Sequence, residues 1–224
     1  MISGKYPFRL WPLIVSVVAI VFLSGCVTDP DDAITLPPID ASASLYDLKV
    51  SGAWAEFGSE NYDGSISVFR EAADIDPLRQ DAHLGLGWCY AMMDQMEDAV
   101  YNFNVAIVKQ SDSPDGHASV AFVYLAQNRY EDAIPAAERA ISLGGEEYVF
   151  EWMVEVQTRN LRLLLAESYY ALGKYADSQL QIDILEPGNR LDENSHTYKK
   201  DLLLEIERLR SSGPVLSELD RHEI

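Results

Sequence analysis

Tyr62, Met96 and Tyr130 are spaced 34 residues apart, and Tyr175 follows 45 later, one further period plus an insertion of 11. A period of this length constrains the fold more than any other feature of the chain. A unit so short cannot bury its own apolar face, so successive copies must stack and share a core. The residues around each anchor recur with it. Ser65-Ile66 with Phe69, Ala99-Val100 with Phe103, Ala133-Ile134 with Ala137 and Ser178-Gln179 with Ile182 hold equivalent places, and His83 and His117 are themselves 34 apart.

Registered at Tyr46, Gln80, Pro114 and Arg159, each copy divides into a helix A over about 14 positions, a turn, and a helix B. Helix pairs cross at the 8th, 20th and 27th positions. These hold Ala53, Ser65 and Ala72, then Gly87, Ala99 and Ala106, then Ala121, Ala133 and Ala140, then Ala166, Ser178 and Leu185. Eleven of the twelve are Gly, Ala or Ser, and small side chains at fixed crossings let helix axes approach closely. Asp76-Pro77 stops one helix B, Ser113-Pro114 caps and starts a helix A, and Gly144-Gly145 ends another helix B.

The pattern resembles the tetratricopeptide repeat over about two thirds of the chain. The second copy fits best, with Leu86-Gly87, Tyr90, Ala99, Phe103 and Ala106; the first departs, with Gly52-Ala53 where Leu-Gly is usual. The resemblance implies an all-α fold, a TPR-type α-solenoid of about four helix-turn-helix repeats over residues 45–190. A C-terminal capping helix is expected over 191–212, where Tyr198, Leu202, Leu203, Ile206 and Leu209 recur at helical spacing. A flexible tail is expected over 213–224.

The insertion, residues 146–157, carries a different signal. Tyr148, Phe150, Trp152, Val154 and Val156 alternate with mostly polar neighbours, a period of two that favours an extended or irregular segment over three more helical turns. An exposed apolar strand is an aggregation hazard, so the segment is expected to dock on the array or on a partner.

The N-terminus reads as a lipoprotein signal peptide over residues 1–25. Lys5 and Arg9 precede an apolar stretch, Leu10 to Leu23, of 14 residues. As a helix it would reach roughly 21 Å, short of the roughly 30 Å hydrocarbon core. Leu23-Ser24-Gly25-Cys26 resembles the bacterial lipobox, which implies acylation of Cys26, and acyl chains in the plural give stable anchoring. Val27 follows where an Asp would retain such a protein at the inner membrane. By resemblance to enteric sorting, the expected location is the periplasmic face of the outer membrane, the alternative being the outer face of the cytoplasmic membrane. Residues 26–44, with three prolines and four acids, read as a disordered tether.

The net charge of −19 repels phosphates, so nucleic acid is excluded as a partner. Cys89 is the only cysteine besides Cys26 and is expected to be a buried thiol inside a helix. The chain holds no Gly-rich phosphate loop, His-x-x-x-His, Cys-x-x-Cys or Gly-x-Ser-x-Gly. No catalytic residue, cofactor or metal is assigned, and His83 and His117 read as packing residues.

In the resembled family, fixed positions of each helix A face a concave groove. Carried onto this sequence, they give a partner-binding set of Trp54, Phe57, Leu84, Trp88, Met92, Phe122, Leu125 and Tyr170, with Asp47, Asp81 and Asp115 along one rim. The groove would be aromatic at its centre and acidic at its edge. Either it receives an apolar or amphipathic segment, or the 146–157 insertion already fills it. The expected function is a membrane-anchored scaffold or adaptor for a protein or peptide partner in the cell envelope. A lipid or glycan carrier using the same groove, and an enzyme without a recognisable motif, are the alternatives.

Overall fold

The computed structural model describes residues 41–189 and 191–212. The expected signal peptide, Cys26, the tether as far as residue 40 and the tail from 213 lie outside the described residues. Three antiparallel helix pairs come first: α1 (Ala41–Gly58) with α2 (Tyr62–Ile75), α3 (Asp81–Met92) with α4 (Met96–Lys109), and α5 (Pro114–Ala126) with α6 (Tyr130–Gly144). A hairpin of β1 (Val149–Phe150) and β2 (Met153–Gln157) follows. The fourth pair is α7 (Thr158–Ala171) with α8 (Tyr175–Leu185), and α9 (Tyr198–Ser211) closes the array. The architecture is an all-α TPR-type solenoid. Helix α1 begins inside the stretch read as tether, because all three tether prolines precede Ala41 and the Ala-Ser run that follows tolerates helix.

The crossing residues behave as small side chains at close contacts should. All eleven Gly, Ala and Ser among them are buried, and Leu185, the one large residue, is half-buried. Ser65 and Ser178 do more than fill space. Each donates its hydroxyl to the helix-A carbonyl it crosses, Ser65 to Ala53 at 2.8 Å and Ser178 to Ala166 at 2.7 Å.

Every helix A ends in the same way. Glu60, Asp94, Asn128 and Gly173 take φ of 61°, 60°, 56° and 73°. The next amide then donates back to the carbonyl five residues earlier: Asn61 to Glu56 at 3.0 Å, Gln95 to Tyr90 at 2.8 Å, Arg129 to Tyr124 at 2.8 Å, Lys174 to Tyr169 at 2.9 Å. This left-handed stop satisfies orphan carbonyls and turns the chain into helix B.

One continuous apolar cluster runs from Tyr46 to Leu165. A smaller one, Leu163, Ala166, Ile182, Leu202, Ile206 and Leu209, lies under α9, which covers the open end of the stack as a capping helix does. Of the apolar positions expected to face inward from α9, Leu203 is exposed. Arg159 ties the cap down, its guanidinium donating to the Leu209 carbonyl at 3.1 Å.

Candidate interaction site

The insertion decides what the helix-A face offers. Phe150 pairs with Met153 across a two-residue turn, Glu151-Trp152, and the register shifts between Val149 and Phe150. The turn and that shift together split the alternating apolar set. Tyr148, Phe150, Met153 and Val156 turn inward and are buried, while Val149, Trp152 and Val154 are exposed. Met153 replaces Trp152 and Val154 on the buried side, which alternation alone does not foretell.

The hairpin lies across the A helices. β2 touches α5 and α7, and at the far side Trp54 of α1 meets Phe150 edge to face at 6.0 Å and Trp152 in a parallel stack at 5.6 Å. Its inner side chains belong to the same cluster as Trp88 and Phe122. The segment therefore docks on the array and supplies part of its core.

Of the eight groove residues inferred from sequence, four are in the core. Trp88 is fully buried and donates its indole N–H to Ser119 Oγ at 3.1 Å. Leu84, Phe122 and Trp54 are 2, 7 and 6% exposed. Phe57, Met92 and Leu125 are half-buried against that cluster. Tyr170 is set apart, packed edge to face on Tyr175 at 5.3 Å beside the smaller cluster.

The three rim aspartates are engaged within the fold. Tyr46 donates its hydroxyl to Asp81 Oδ2 at 3.3 Å, and Arg79 spans Asp47 and Asp81 at 2.5 and 3.1 Å. One repeat later, Gln80 donates its amide to Asp115 Oδ2 at 3.2 Å and to Ser113 Oγ at 2.9 Å. Tyr148 of the insertion completes this knot with a 2.9 Å bond to Asp115 Oδ1. The first residue of one repeat thus reaches the second residue of the next, and the carboxylates lock neighbouring repeats together. Burial, then the charge of the adjacent aspartate, raises the phenol pKa of both Tyr46 and Tyr148 well above 10.

A recess of about 460 Å³ stays open where the hairpin tip leans on the C-terminal half of α1. Trp54, Phe57, Trp152 and Met153 form its apolar walls, with Ser51 and Glu155 among the polar groups on its lining. Trp152 and Glu155 were absent from the groove set because the repeat pattern has no position for an insertion.

Elsewhere the chemistry is quiet. Cys89 is buried and donates to Ser65 Oγ at 3.2 Å, and burial pushes its thiol up to about 11. His83 contacts Asn102 Oδ1 at 3.2 Å, and burial lowers its pKa. Among the described residues no group of His, Cys, Asp and Glu could hold a metal ion.

Residues 56–121 and 123–180 match two models of the tetratricopeptide repeat, together more than half of the chain. The chain belongs to the tetratricopeptide-repeat family. Similar solved structures include pilF of Pseudomonas aeruginosa, at a TM-score of 0.58 and 17% identity over 76% of this chain and 75% of that one. YrrB, described as a TPR protein with an unusual peptide-binding site, gives 0.56 and 13% over 77% and 93%. A MamA protein gives 0.56 and 14% over 82% and 96%. At these identities the likeness is one of fold. No curated protein matches the chain. A tetratricopeptide-repeat fold suggests a scaffold for protein–protein interaction, with protein or peptide partners.

Proposed function

We propose that this tetratricopeptide-repeat protein is a membrane-anchored adaptor of the cell envelope. It holds a protein partner against the surface built jointly by α1 and the inserted hairpin. The observation that carries the reading is the Trp54–Trp152 stack, which leaves Trp152 38% exposed beside Val149 and Val154 at 49 and 59%. Trp152 lines the recess and the two valines lie on the same hairpin; exposed apolar groups of this kind mark contact surfaces, and Trp is among the residues most enriched at the energetic centres of interfaces. Phe57, half-buried in the same recess, extends the surface along α1. The anchor is the lipid on Cys26, supported by the Leu-Ser-Gly-Cys segment behind a basic, apolar leader, and the expected location is the periplasmic face of the outer membrane. YrrB, which shares the fold, is described as having an unusual peptide-binding site, and a peptide-binding role is in keeping with that.

Cross-linking and affinity purification of the full chain from membranes tests both parts. One dominant protein is expected, lost on Trp152→Ala, and Cys26→Ser is expected to shift the chain out of the outer-membrane fraction. Copurified lipid with no protein would overturn the adaptor reading, and an unchanged location would overturn acylation.

A further inference from the structure

We infer that the recess between α1 and the hairpin tip selects a basic side chain, arginine or lysine, carried on an otherwise apolar segment of the partner. The inference rests on the adaptor reading and specifies which partner chemistry that surface accepts.

Three observations converge on a cation. The first is the aromatic platform. Trp152 lies parallel to Trp54, at an interplanar angle of 7°, so one ring face is spent on the stack while 38% of the residue stays exposed. An exposed indole face attracts a guanidinium or ammonium more strongly than any other aromatic ring does. The second is Glu155. It lines the same recess, and its carboxylate has no hydrogen-bond or ion-pair partner among the described residues, while its backbone carbonyl accepts from Asn160. The third is the distribution of charge. Among the described residues no lysine or arginine lines the recess, and three cations of the first and last repeats are paired with other carboxylates. Lys49 pairs with Glu71, Arg79 with Asp47 and Asp81, and Arg162 with Glu146. In a chain of net charge −19, a lone carboxylate beside an open indole face is complementary to a positive partner in sign and shape. Phe57, half-buried on the same recess, takes an apolar flank of that segment.

A synthetic array of short peptides, with Arg, Lys, Gln or Glu set between Leu, Ile or Phe flanks, tests this against the full chain in detergent micelles. Arg and Lys peptides are expected to bind roughly tenfold more tightly than their Gln counterparts, the size of one partly desolvated cation–π contact reinforced by a carboxylate. Glu155→Gln should collapse most of that preference while leaving the Gln peptides unchanged, and Trp152→Ala should weaken all of them. Equal binding of Arg and Gln peptides, a preference for Glu, or a preference that survives Glu155→Gln would overturn the inference. If Gln peptides bind as well as Arg peptides and still depend on Trp152, the adaptor surface stands and its charge selectivity falls. If Trp152→Ala unfolds the chain by circular dichroism, Glu155→Gln decides alone, since that carboxylate has no contact whose loss could unfold anything.

Discussion

Tyr148 and Asp115 are joined across 33 residues, the phenol donating to the carboxylate at 2.9 Å. This bond fastens the insertion to the start of the third repeat, at a carboxylate that also receives Gln80 and Ser113. Tyr148→Phe removes one buried donor and should cost about 1 kcal/mol in urea unfolding. Asp115→Ala removes the acceptor shared by Tyr148, Gln80 and Ser113, strands the Tyr148 hydroxyl, and should cost about 2–3 kcal/mol. Equal costs would show that the carboxylate is not the hub.

Alkaline pH should loosen the same contacts. In the folded chain the phenols of Tyr46, Tyr148 and Tyr169 titrate above the unfolded value of 10, chiefly because burial disfavours the phenolate. A raised folded pKa means the unfolded chain releases its proton first. Their contribution is therefore intact below about pH 10 and is lost as pH climbs through and beyond that value. Thermal midpoints should fall above pH 10, and less steeply in Tyr148→Phe. An identical slope in wild type and variant would rule Tyr148 out as a source.

The groove residues taken from the family pattern separate by where they sit. Trp88 is enclosed between Phe103, at 5.5 Å edge to face, and Ser119, and Phe122 is 7% exposed. Trp88→Ala should cost about 3–5 kcal/mol, and with Phe122→Ala the helical circular-dichroism signal should be lost at room temperature. Trp152→Ala, at a half-open position, should leave the signal in place. A folded double variant would mean that the two rings are not core.

The stacking of the array was legible in the sequence because small residues recur at the helix crossings whatever the partner or the insertion. The helix stops were also written there at the same period, as Glu60, Asp94, Asn128 and Gly173, but four different side chains disguise one backbone conformation. The site was less legible. Asp47, Asp81 and Asp115 recur as a charged rim would, yet the Arg79–Asp47, Tyr46–Asp81, Gln80–Asp115 and Tyr148–Asp115 bonds each span about a repeat, and sequence spacing carries no sign of who pairs with whom. The insertion announced itself by alternation, while the turn at Glu151-Trp152, which turns Trp152 outward and Met153 inward, reset its phase without any glycine or proline to mark it.

Gly85 separates packing from backbone conformation in one direction. A methyl built on it would overlap the ring of Phe69, which is fully buried and cannot retreat. Gly85→Ala should cost about 1–3 kcal/mol as overpacking. Pairing it with Phe69→Leu should recover part of that loss, and a pair that is merely additive would contradict the clash.

Gly173 gives the converse case. Its φ is 73° and nothing lies within 4 Å of an added methyl, so Gly173→Ala tests the left-handed stop with no steric contribution. It should destabilise the chain by about 1 kcal/mol. Glu60 occupies the equivalent turn at a φ of 61° with an ordinary side chain. Glu60→Gly relieves that strain, offset in part by the extra freedom glycine gives the unfolded chain. The net gain expected is below about 1 kcal/mol, read as a higher urea midpoint at unchanged slope. A loss at Glu60→Gly matching that at Gly173→Ala would show that the turns differ in conformation despite their common place in the repeat.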